Sequence, residues 1–368
     1  MKNYLDFEKE IKALEQEVDG LKSPFGSEGI SEVDTDKIKN TQQEINQKLE
    51  EIYSNLNSWQ RTQVARHEDR PKANFYIKKI FSQFTLLSGD RYFGDDKSVI
   101  AGFGLIDNKS VLVIGQEKGE DLNSRIERNF GMMRPEGYRK CIRLMKLADR
   151  FQIPVISFID TPGAYPGIGA EQRGQASAIA NSIECCMSLT VPNISIIIGE
   201  GGSGGAIALA SSNKVIMLEN SIYSVISPEG CASILWRDPS KSLQAAEAMK
   251  LTANDLLKLK IIDEVIPEPL GGAHRDPDSI AADIKYSIIK NLKNFESLTK
   301  EEIYDHRKSK FLQIGRDQGF NKSSTLSEGN LTYKDSTVRK LSTHIQKNKL
   351  VYGGLGLVAL AALIALIT

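Results

Sequence analysis

TPGAYPGIG at residues 161–169 and GEGGSGGA at residues 199–206 are the two stretches of this sequence that decide its fold. Each follows a short apolar run and opens into an alanine-rich helical pattern, which predicts two successive strand–turn–helix units. Glycine at this density permits tight or left-handed backbone and leaves bare N–H groups open to a ligand. Because the first N–H groups of a helix lack partners within it, such turns favour negative charge. The sequence therefore predicts a site built from backbone donors.

The sequence around these stretches predicts an α/β core. From Arg70-Pro71 onward the pattern is one of short strands and turns, and Asp107-Asn108 separates two apolar runs as a hairpin turn does. The predicted elements are hairpin strands 99–105 and 110–115, further strands 153–159, 193–198, 214–218 and 261–266, and helices 137–151, 170–189, 240–259 and 278–311.

The first 65 residues predict a helical hairpin. Apolar residues recur at spacings of three and four in two runs, separated by a break at residues 23–26. We expect this hairpin to dock on the core or on another subunit. The predicted domains are a helical hairpin at 1–70, an α/β core at 71–277, a C-terminal helical region at 278–320, a polar linker at 321–349 and a transmembrane anchor at 350–368.

Composition limits the classes of partner. The chain carries 47 basic and 47 acidic residues, so a general nucleic-acid surface is not expected. The four cysteines show no Cys-x-x-Cys spacing and no secretory signal opens the sequence, which predicts a reducing, cytoplasmic setting and no metal site. Residues 350–368 are uncharged and follow several basic residues, which predicts a tether to the cytoplasmic face of a membrane.

The second glycine-rich stretch matches two familiar motifs. Gly199, Gly201 and Gly204 satisfy G-x-G-x-x-G, but about eight residues before the next polar break are too few for a crossover helix, so we reject a dinucleotide site. Ser203 satisfies the nucleophile elbow G-x-S-x-G. The histidines are His67, His274, His306 and His344. A serine hydrolase would need a distant base such as His274, paired with Asp263, so this alternative stays open.

The region from residue 68 to 273 lacks histidine, which favours chemistry in which the substrate or cofactor supplies its own base. Polar candidates near the turns, each of which could equally be structural, are Tyr165, Glu171, Arg173, Glu200, Tyr223 and Glu229. A basic cluster has two interpretations: it is a solvated helix face, or it contacts the phosphates of a nucleotide-bearing thioester. Its members are Arg125, Arg128, Arg134, Arg139, Lys140 and Arg143.

From about residue 5 to 320 the sequence closely resembles the α subunit of the carboxyltransferase of multisubunit acetyl-CoA carboxylase. The runs that carry the resemblance include RNFG at 128–131, PEGYRK at 135–140, DTPGAYPG at 160–167, YSVISPEGCASILW at 223–236 and PEPLGGAHR at 267–275. Residues 321–368 depart from the family pattern. The resemblance implies a crotonase-type ββα spiral with an N-terminal helical hairpin and C-terminal helices, to which the sequence adds an apolar tail helix.

The resemblance also implies that residues 71–277 form the crotonase-type carboxyltransferase core, and it implies which residues form the active site. Matched by position, the N–H groups of Gly205 and Ala206 form an oxyanion hole for the ureido oxygen of carboxybiotin. The residues expected to bind substrate are Gly163, Ala164, Tyr165, Gly204, Arg128 and Arg134. The implied reaction transfers the carboxyl group from carboxybiotin to acetyl-CoA and gives malonyl-CoA, the first committed step of fatty acid biosynthesis.

The implied partners are a zinc-bearing carboxyltransferase β subunit in an α2β2 heterotetramer, the biotin carrier protein and biotin carboxylase. The implied cofactor is biotin on that carrier protein. Two other functions stay open on the residues alone. One is a serine hydrolase of a related spiral fold that uses Ser203, and the other is a non-catalytic scaffold tethered to a membrane.

Overall fold

An eight-stranded sheet runs through the described residues of the computed structural model, which are 3–22, 25–26, 29–30 and 35–316. A separate ribbon of two short strands precedes it. The strands are β1 (Phe25–Gly26), β2 (Gly29–Ile30), β3 (Ser82–Leu86), β4 (Val99–Ile106), β5 (Lys109–Gln116), β6 (Val155–Thr161), β7 (Asn193–Gly202), β8 (Lys214–Leu218), β9 (Ile222–Ser224) and β10 (Glu264–Ile266).

The sheet order is β10-β8-β7-β6-β5-β4-β3, and β9 pairs with the end of β7. Strands β3, β4 and β5 are antiparallel, whereas β5, β6, β7, β8 and β10 are parallel to their neighbours. The predicted hairpin turn is confirmed, since Asp107 and Asn108 both have positive φ and join β4 to β5. Every residue of β6 and β7 is buried, as continuous apolar runs in covered parallel strands require.

Helices cover both faces of the sheet. The helices are α1 (Lys9–Lys22), α2 (Thr35–Ser54), α3 (Ser58–Ala65), α4 (Ala73–Ile80), α5 (Leu122–Glu127), α6 (Pro135–Arg150), α7 (Ile168–Gln172), α8 (Gln175–Ser188), α9 (Ser203–Ala210), α10 (Pro228–Trp236), α11 (Ser242–Met249), α12 (Ala253–Lys258), α13 (Pro277–Lys293) and α14 (Lys300–Gln313). One core joins α6, α8 and α9 to the sheet, and a second core joins α4 and α13 to its other face.

The two N-terminal helices pack on each other as their apolar spacing predicts. Ile11 of α1 meets Ile45 and Leu49 of α2 in one buried cluster. Arg275, which follows the sheet, forms ion pairs with Glu15 at 2.6 Å and with Glu8 at 3.3 Å. These helices therefore dock on the core of their own chain.

Several predicted elements have different limits. The predicted helix 170–189 is divided between α7 and α8, because Gly174 takes a left-handed conformation with φ of 80°. The predicted helix 240–259 is divided at Lys250, which is also left-handed. The region after Arg70 begins with helix α4 and not with a strand. Strand β7 continues to Gly202 because its last residues pair with β9.

The predicted polar linker at 321–349, the predicted anchor at 350–368 and His344 lie outside the described residues. None of the helices within the described ranges is both long enough and apolar enough to cross a bilayer.

Candidate active site

The two glycine-rich stretches meet backbone to backbone at the carboxyl ends of β6 and β7. Thr161 pairs in register with Gly201. A Cβ atom on Gly202 would lie 2.1 Å from the Pro162 carbonyl oxygen, and one on Gly205 would lie 2.6 Å from the Gly163 carbonyl carbon. Only glycine permits this approach at Gly202 and Gly205, so the glycine density serves the contact between the two turns.

The first turn is fixed by side chains from outside it. Gln175 donates from Nε2 to the carbonyls of Met133 at 2.8 Å and Tyr165 at 3.1 Å. The Arg134 guanidinium lies over the Tyr165 ring, 4.6 Å from its centroid. The structure therefore brings together two of the predicted substrate-binding residues, Arg134 and Tyr165, beside the turn that holds Gly163 and Ala164.

The second turn presents the start of α9. Ser203 has φ of 50°, and the helix begins at this residue after Gly202 as N-cap. In regular helix geometry the N–H groups of Gly204 and Gly205 precede the first intrahelical bond, whereas the fourth residue, Ala206, donates to the Gly202 carbonyl. Helix geometry thus favours Gly204 and Gly205 as the free donors, and the donor role predicted for Ala206 stays a prediction.

An apolar cavity of about 600 Å³ opens at this helix start. Its walls come from α9, β9, α12 and the segments beside them. The residues that line it are Ser203, Gly204, Ile207, Tyr223, Ser224, Val225, Met249, Lys250, Leu256, Leu259 and Ile261. A wall that is mostly apolar, with a few polar groups from Ser203, Ser224 and Lys250, suits a compact ring system with one polar edge.

The serine-nucleophile hypothesis lacks its base within the described residues. His274 stacks on His67 with ring centroids 3.8 Å apart, and burial lowers the pKa of His274 to about 2. Asp263 accepts instead from Lys310 and from the Val215 N–H. The pair that would have to activate Ser203 is therefore not formed, although Ser203 itself has the left-handed turn conformation of a nucleophile elbow.

A buried ionic network underlies both turns. The Lys118 ammonium lies 2.7 Å from the Asp160 carboxylate and 2.9 Å from that of Glu200. Arg66 donates to the same Glu200 at 2.7 Å, and Asp160 accepts the Glu200 N–H at 3.0 Å. Burial opposes ionisation of Glu200, but Lys118 and Arg66 lower its pKa to about 2. Asp160 precedes the first turn and Glu200 lies in the second, so this network links the two.

A second cavity, of about 340 Å³, lies beside the network and is called the cationic cavity below. Its lining residues are Ala65, Arg66, Lys72, Lys118, Arg125, Phe130, Met132, Pro162 and Glu200. Four of these side chains are basic and one is acidic. Sequence reasoning missed Arg66, Lys72 and Lys118 as members of a site. The one signal available was that Lys118 lies three residues after the predicted strand 110–115.

The structure disperses the predicted basic cluster. Arg139 pairs with Asp90, Lys140 with Asp95, Arg143 donates to the Gly89 carbonyl, and Arg128 donates to the Lys97 carbonyl. Four members of the cluster therefore have separate partners, and the substrate-binding role predicted for Arg128 stays a prediction. Among its members, Arg125 lines the cationic cavity. Of the other polar candidates, Arg173 pairs with Glu136, Glu229 pairs with Arg66, Tyr223 lines the apolar cavity and Glu171 is exposed.

Sequence relatives identify the family. A family model described as "Acetyl co-enzyme A carboxylase carboxyltransferase-like" matches residues 4–315. The chain is 67% identical over 351 residues to the acetyl-coenzyme A carboxylase carboxyl transferase subunit alpha of Pelagibacter ubique (strain HTCC1062), covering 95% of each protein. It is 52% identical over 320 residues to the subunit of the same name from Nitrobacter winogradskyi, covering 87% of this chain and 99% of the relative.

The family model ends at residue 315, which agrees with the expected departure of residues 321–368 from the family pattern, but the Pelagibacter alignment reaches further. Because 351 aligned residues cannot fit within residues 1–320, part of the C-terminal segment is shared with that relative. The segment is therefore not peculiar to this chain.

Two solved structures share the fold with a TM-score of 0.50. Transcarboxylase 12S, with methylmalonyl-coenzyme A and methylmalonic acid bound, is 18% identical and is matched over 61% of this chain and 41% of its own. A Pseudomonas malonate decarboxylase hetero-tetramer in complex with coenzyme A is 15% identical and is matched over 61% of this chain and 93% of its own. At such identities the likeness concerns the fold alone. It confirms a mixed α/β fold, and the crotonase-type ββα spiral itself stays a prediction.

Proposed function

This chain belongs to the acetyl co-enzyme A carboxylase carboxyltransferase family, and we propose that it works as the α subunit that transfers the carboxyl group from carboxybiotin to acetyl-CoA. Family membership makes it a carboxyl-transferring enzyme. The observation that supports the finer proposal is the start of α9, where Ser203 and Gly204 line an apolar cavity of about 600 Å³. A non-catalytic scaffold would not need this arrangement.

The apolar cavity suits biotin. Biotin is a compact apolar bicycle with a polar ureido edge, and the cavity combines apolar walls with backbone donors at one end. Ile207, Val225 and Met249 would hold the bicycle, while Gly204 and Gly205 would face the ureido edge. Biotin bound there supplies the transferable carboxyl group and a ureido oxygen that gains negative charge as that group leaves.

The chain's own part is to stabilise negative charge without a charged side chain. The N–H groups of Gly204 and Gly205 would donate to the oxygen, supported by the positive end of the α9 dipole. Gln116 keeps this turn in place by donating from Nε2 to the Gly205 carbonyl at 2.7 Å. The apolar walls exclude water, which strengthens these hydrogen bonds.

The partners follow from the family and complete the proposal. We place the chain with a carboxyltransferase β subunit in an α2β2 heterotetramer, which receives biotin on its carrier protein from biotin carboxylase. The β subunit would supply most of the acetyl-CoA site.

The test is malonyl-CoA formation from purified chains. The α chain alone should have little or no activity, and addition of the β subunit should restore it. Full activity of the rigorously purified α chain alone would refute the proposal that the β subunit is required.

We also propose that the enzyme works in the cytoplasm and that residues 350–368 attach it to a membrane. The support is the sequence itself, since these residues carry no charge and follow Lys347 and Lys349. Deletion of residues 350–368 should move the protein from the membrane fraction to the soluble fraction, with carboxyltransferase activity retained. Full-length protein that stays in the soluble fraction of its native cells would contradict the tether.

A further inference from the structure

The cationic cavity lies where α/β sheets bind ligands. Lys118 follows the end of β5 and Pro162 follows the end of β6. Glu200 lies two residues before the end of β7. These three strands are parallel neighbours, so the cavity opens at their shared carboxyl edge. Ligands of open α/β sheets bind at this edge. The proposed reaction above makes no use of the cavity.

The cavity contains cations that lack a buried carboxylate. Within the described residues the Lys72 ammonium donates to the carbonyls of His67 at 3.4 Å and Glu68 at 3.2 Å and forms no ion pair, although Lys72 is only 8% exposed. Arg125 lies 3.6 Å from the carboxylate of Glu68, whose side chain is 65% exposed. By contrast, Lys118 has two buried partners. An unpaired buried ammonium is unfavourable, so an anion would satisfy Lys72. Arg125 is partly buried, and its one ion pair is long and solvent-exposed, so it can donate to the same anion.

The rest of the wall is apolar and strained. Asn129 and Phe130 are left-handed, with φ of 48° and 54°, and Gly131 follows with φ of 79°. A Cβ on Gly131 would lie 2.6 Å from the Asp160 carbonyl oxygen, so this loop is pressed against the entry to the first glycine turn. Left-handed non-glycine residues cost free energy and cluster at functional sites. Phe130 is 43% exposed, which leaves ring surface free for stacking.

We propose that the cationic cavity binds a nucleoside phosphate, with the phosphate held by Lys72 and Arg125 and the base packed on Phe130. A volume of about 340 Å³ has room for a phosphate and one ring system. A free anion such as malonate would leave Phe130 and Pro162 without a partner. The nucleotide could be the phosphoadenosine end of a CoA thioester or a separate nucleotide. The first source rests on the proposed function, whereas the site itself does not.

The test is calorimetric titration of the full-length chain with adenosine 3′,5′-bisphosphate, CoA, inorganic phosphate and malonate. The bisphosphate should bind more tightly than phosphate or malonate. Lys72→Met and Arg125→Gln should each weaken its binding about tenfold or more, since each removes a charged hydrogen-bond donor. Lys79→Met is the matched control, because this α4 lysine is half exposed and pairs with Asp278 outside the cavity. Unchanged unfolding midpoints would show that the variants fold.

Proton uptake on ligand binding distinguishes a Lys72 that binds the phosphate from a Lys72 that is only structural, because a structural lysine would keep its pKa. Burial lowers the pKa of Lys72 to about 8, in a setting that includes Asp160 and Glu200 as well as Arg70, Lys118 and Arg125. A bound phosphate should raise this pKa, so binding near pH 8 should take up a proton and should weaken as pH rises further. The uptake is measured by titration in buffers of different ionisation enthalpy and should vanish in Lys72→Met.

The outcomes separate the sources from the site. Competition between the bisphosphate and acetyl-CoA in the assembled enzyme would assign the thioester, and binding without competition would assign a separate nucleotide. Both support the site. Binding that is unaffected by Lys72→Met, or malonate that binds as tightly as the bisphosphate, would overturn it. Absence of malonyl-CoA formation with the β subunit would refute the proposed function but would leave these titrations interpretable.

Discussion

Two cavities open beside the glycine-rich turns, and they are built in opposite ways. The apolar cavity is lined mostly by apolar side chains beside the start of α9, and its lining residues fall between 203 and 261. The cationic cavity takes its polar groups from side chains that five separate segments contribute, from Ala65 to Glu200. One site therefore depends on a local conformation, whereas the other depends on the topology that brings distant segments together.

The difference affects how each cavity manages charge. Backbone N–H groups carry partial positive charge, do not titrate and need no counterion, so they can lie in an apolar wall before a ligand binds. Ammonium and guanidinium groups must be solvated, paired or bound to a ligand. Lys118 and Arg66 meet this need through Asp160 and Glu200, and these same ion pairs link the two glycine turns. Charges of the cationic cavity thus support the geometry of the neutral one.

Removal of Lys118 should have the largest effect, because it damages both cavities. Lys118→Met leaves the carboxylates of Asp160 and Glu200 buried without their ammonium. We expect a loss of about 3–5 kcal/mol in the free energy of unfolding at pH 7, which denaturant titration would measure. Lys109→Met is the control, since Lys109 and its partner Glu296 are both about half exposed and should contribute little. Equal losses from both variants would contradict the network's role.

The pH dependence of this loss follows from Glu200. Its pKa is about 2 in the folded protein, below the ordinary value of 4.5, so its ion pairs stabilise the fold above pH 4.5. That contribution declines as pH falls from 4.5 toward 2. The difference in unfolding free energy between wild type and Lys118→Met should therefore narrow over this range.

The sequence predicted the neutral site better than the charged one. Glycine spacing, flanking apolar runs and the helix pattern after residue 203 are all local signals, and they located β6, β7 and α9. No local signal joins Lys72 to Lys118 or Arg125, because only the sheet order brings them together. The partners of the basic cluster could not be predicted for the same reason: its members share a segment, but each contacts a different partner.

Removal of one backbone donor should test the neutral side of the comparison. Gly204→Pro deletes an N–H group in the first turn of α9, where proline is tolerated, and the φ of Gly204 is not in the left-handed region. We expect kcat for malonyl-CoA formation to fall about 10²–10³-fold, or about 2.7–4 kcal/mol of transition-state stabilisation.

Gly204→Ala is the matched control for this donor. It keeps the N–H, and its Cβ would meet Ile179 at 3.4 Å, close to ordinary contact. The alanine variant should therefore lose much less activity than the proline variant. Similar losses in both would mean that shape at residue 204, and not its hydrogen bond, limits the reaction.

The smallest effect is expected at the residue that looks most catalytic. Ser203 is exposed, lines the apolar cavity and has the left-handed conformation of a nucleophile elbow, with φ of 50°. If the chemistry rests on the N–H groups that follow it, its hydroxyl is dispensable, and Ser203→Ala should keep kcat within about twofold of wild type. Ser203→Gly should also relieve the left-handed strain and stabilise the fold by about 1 kcal/mol. A folded, partner-bound Ser203→Ala that has lost activity by several orders of magnitude would restore the serine nucleophile, because only covalent chemistry needs that oxygen.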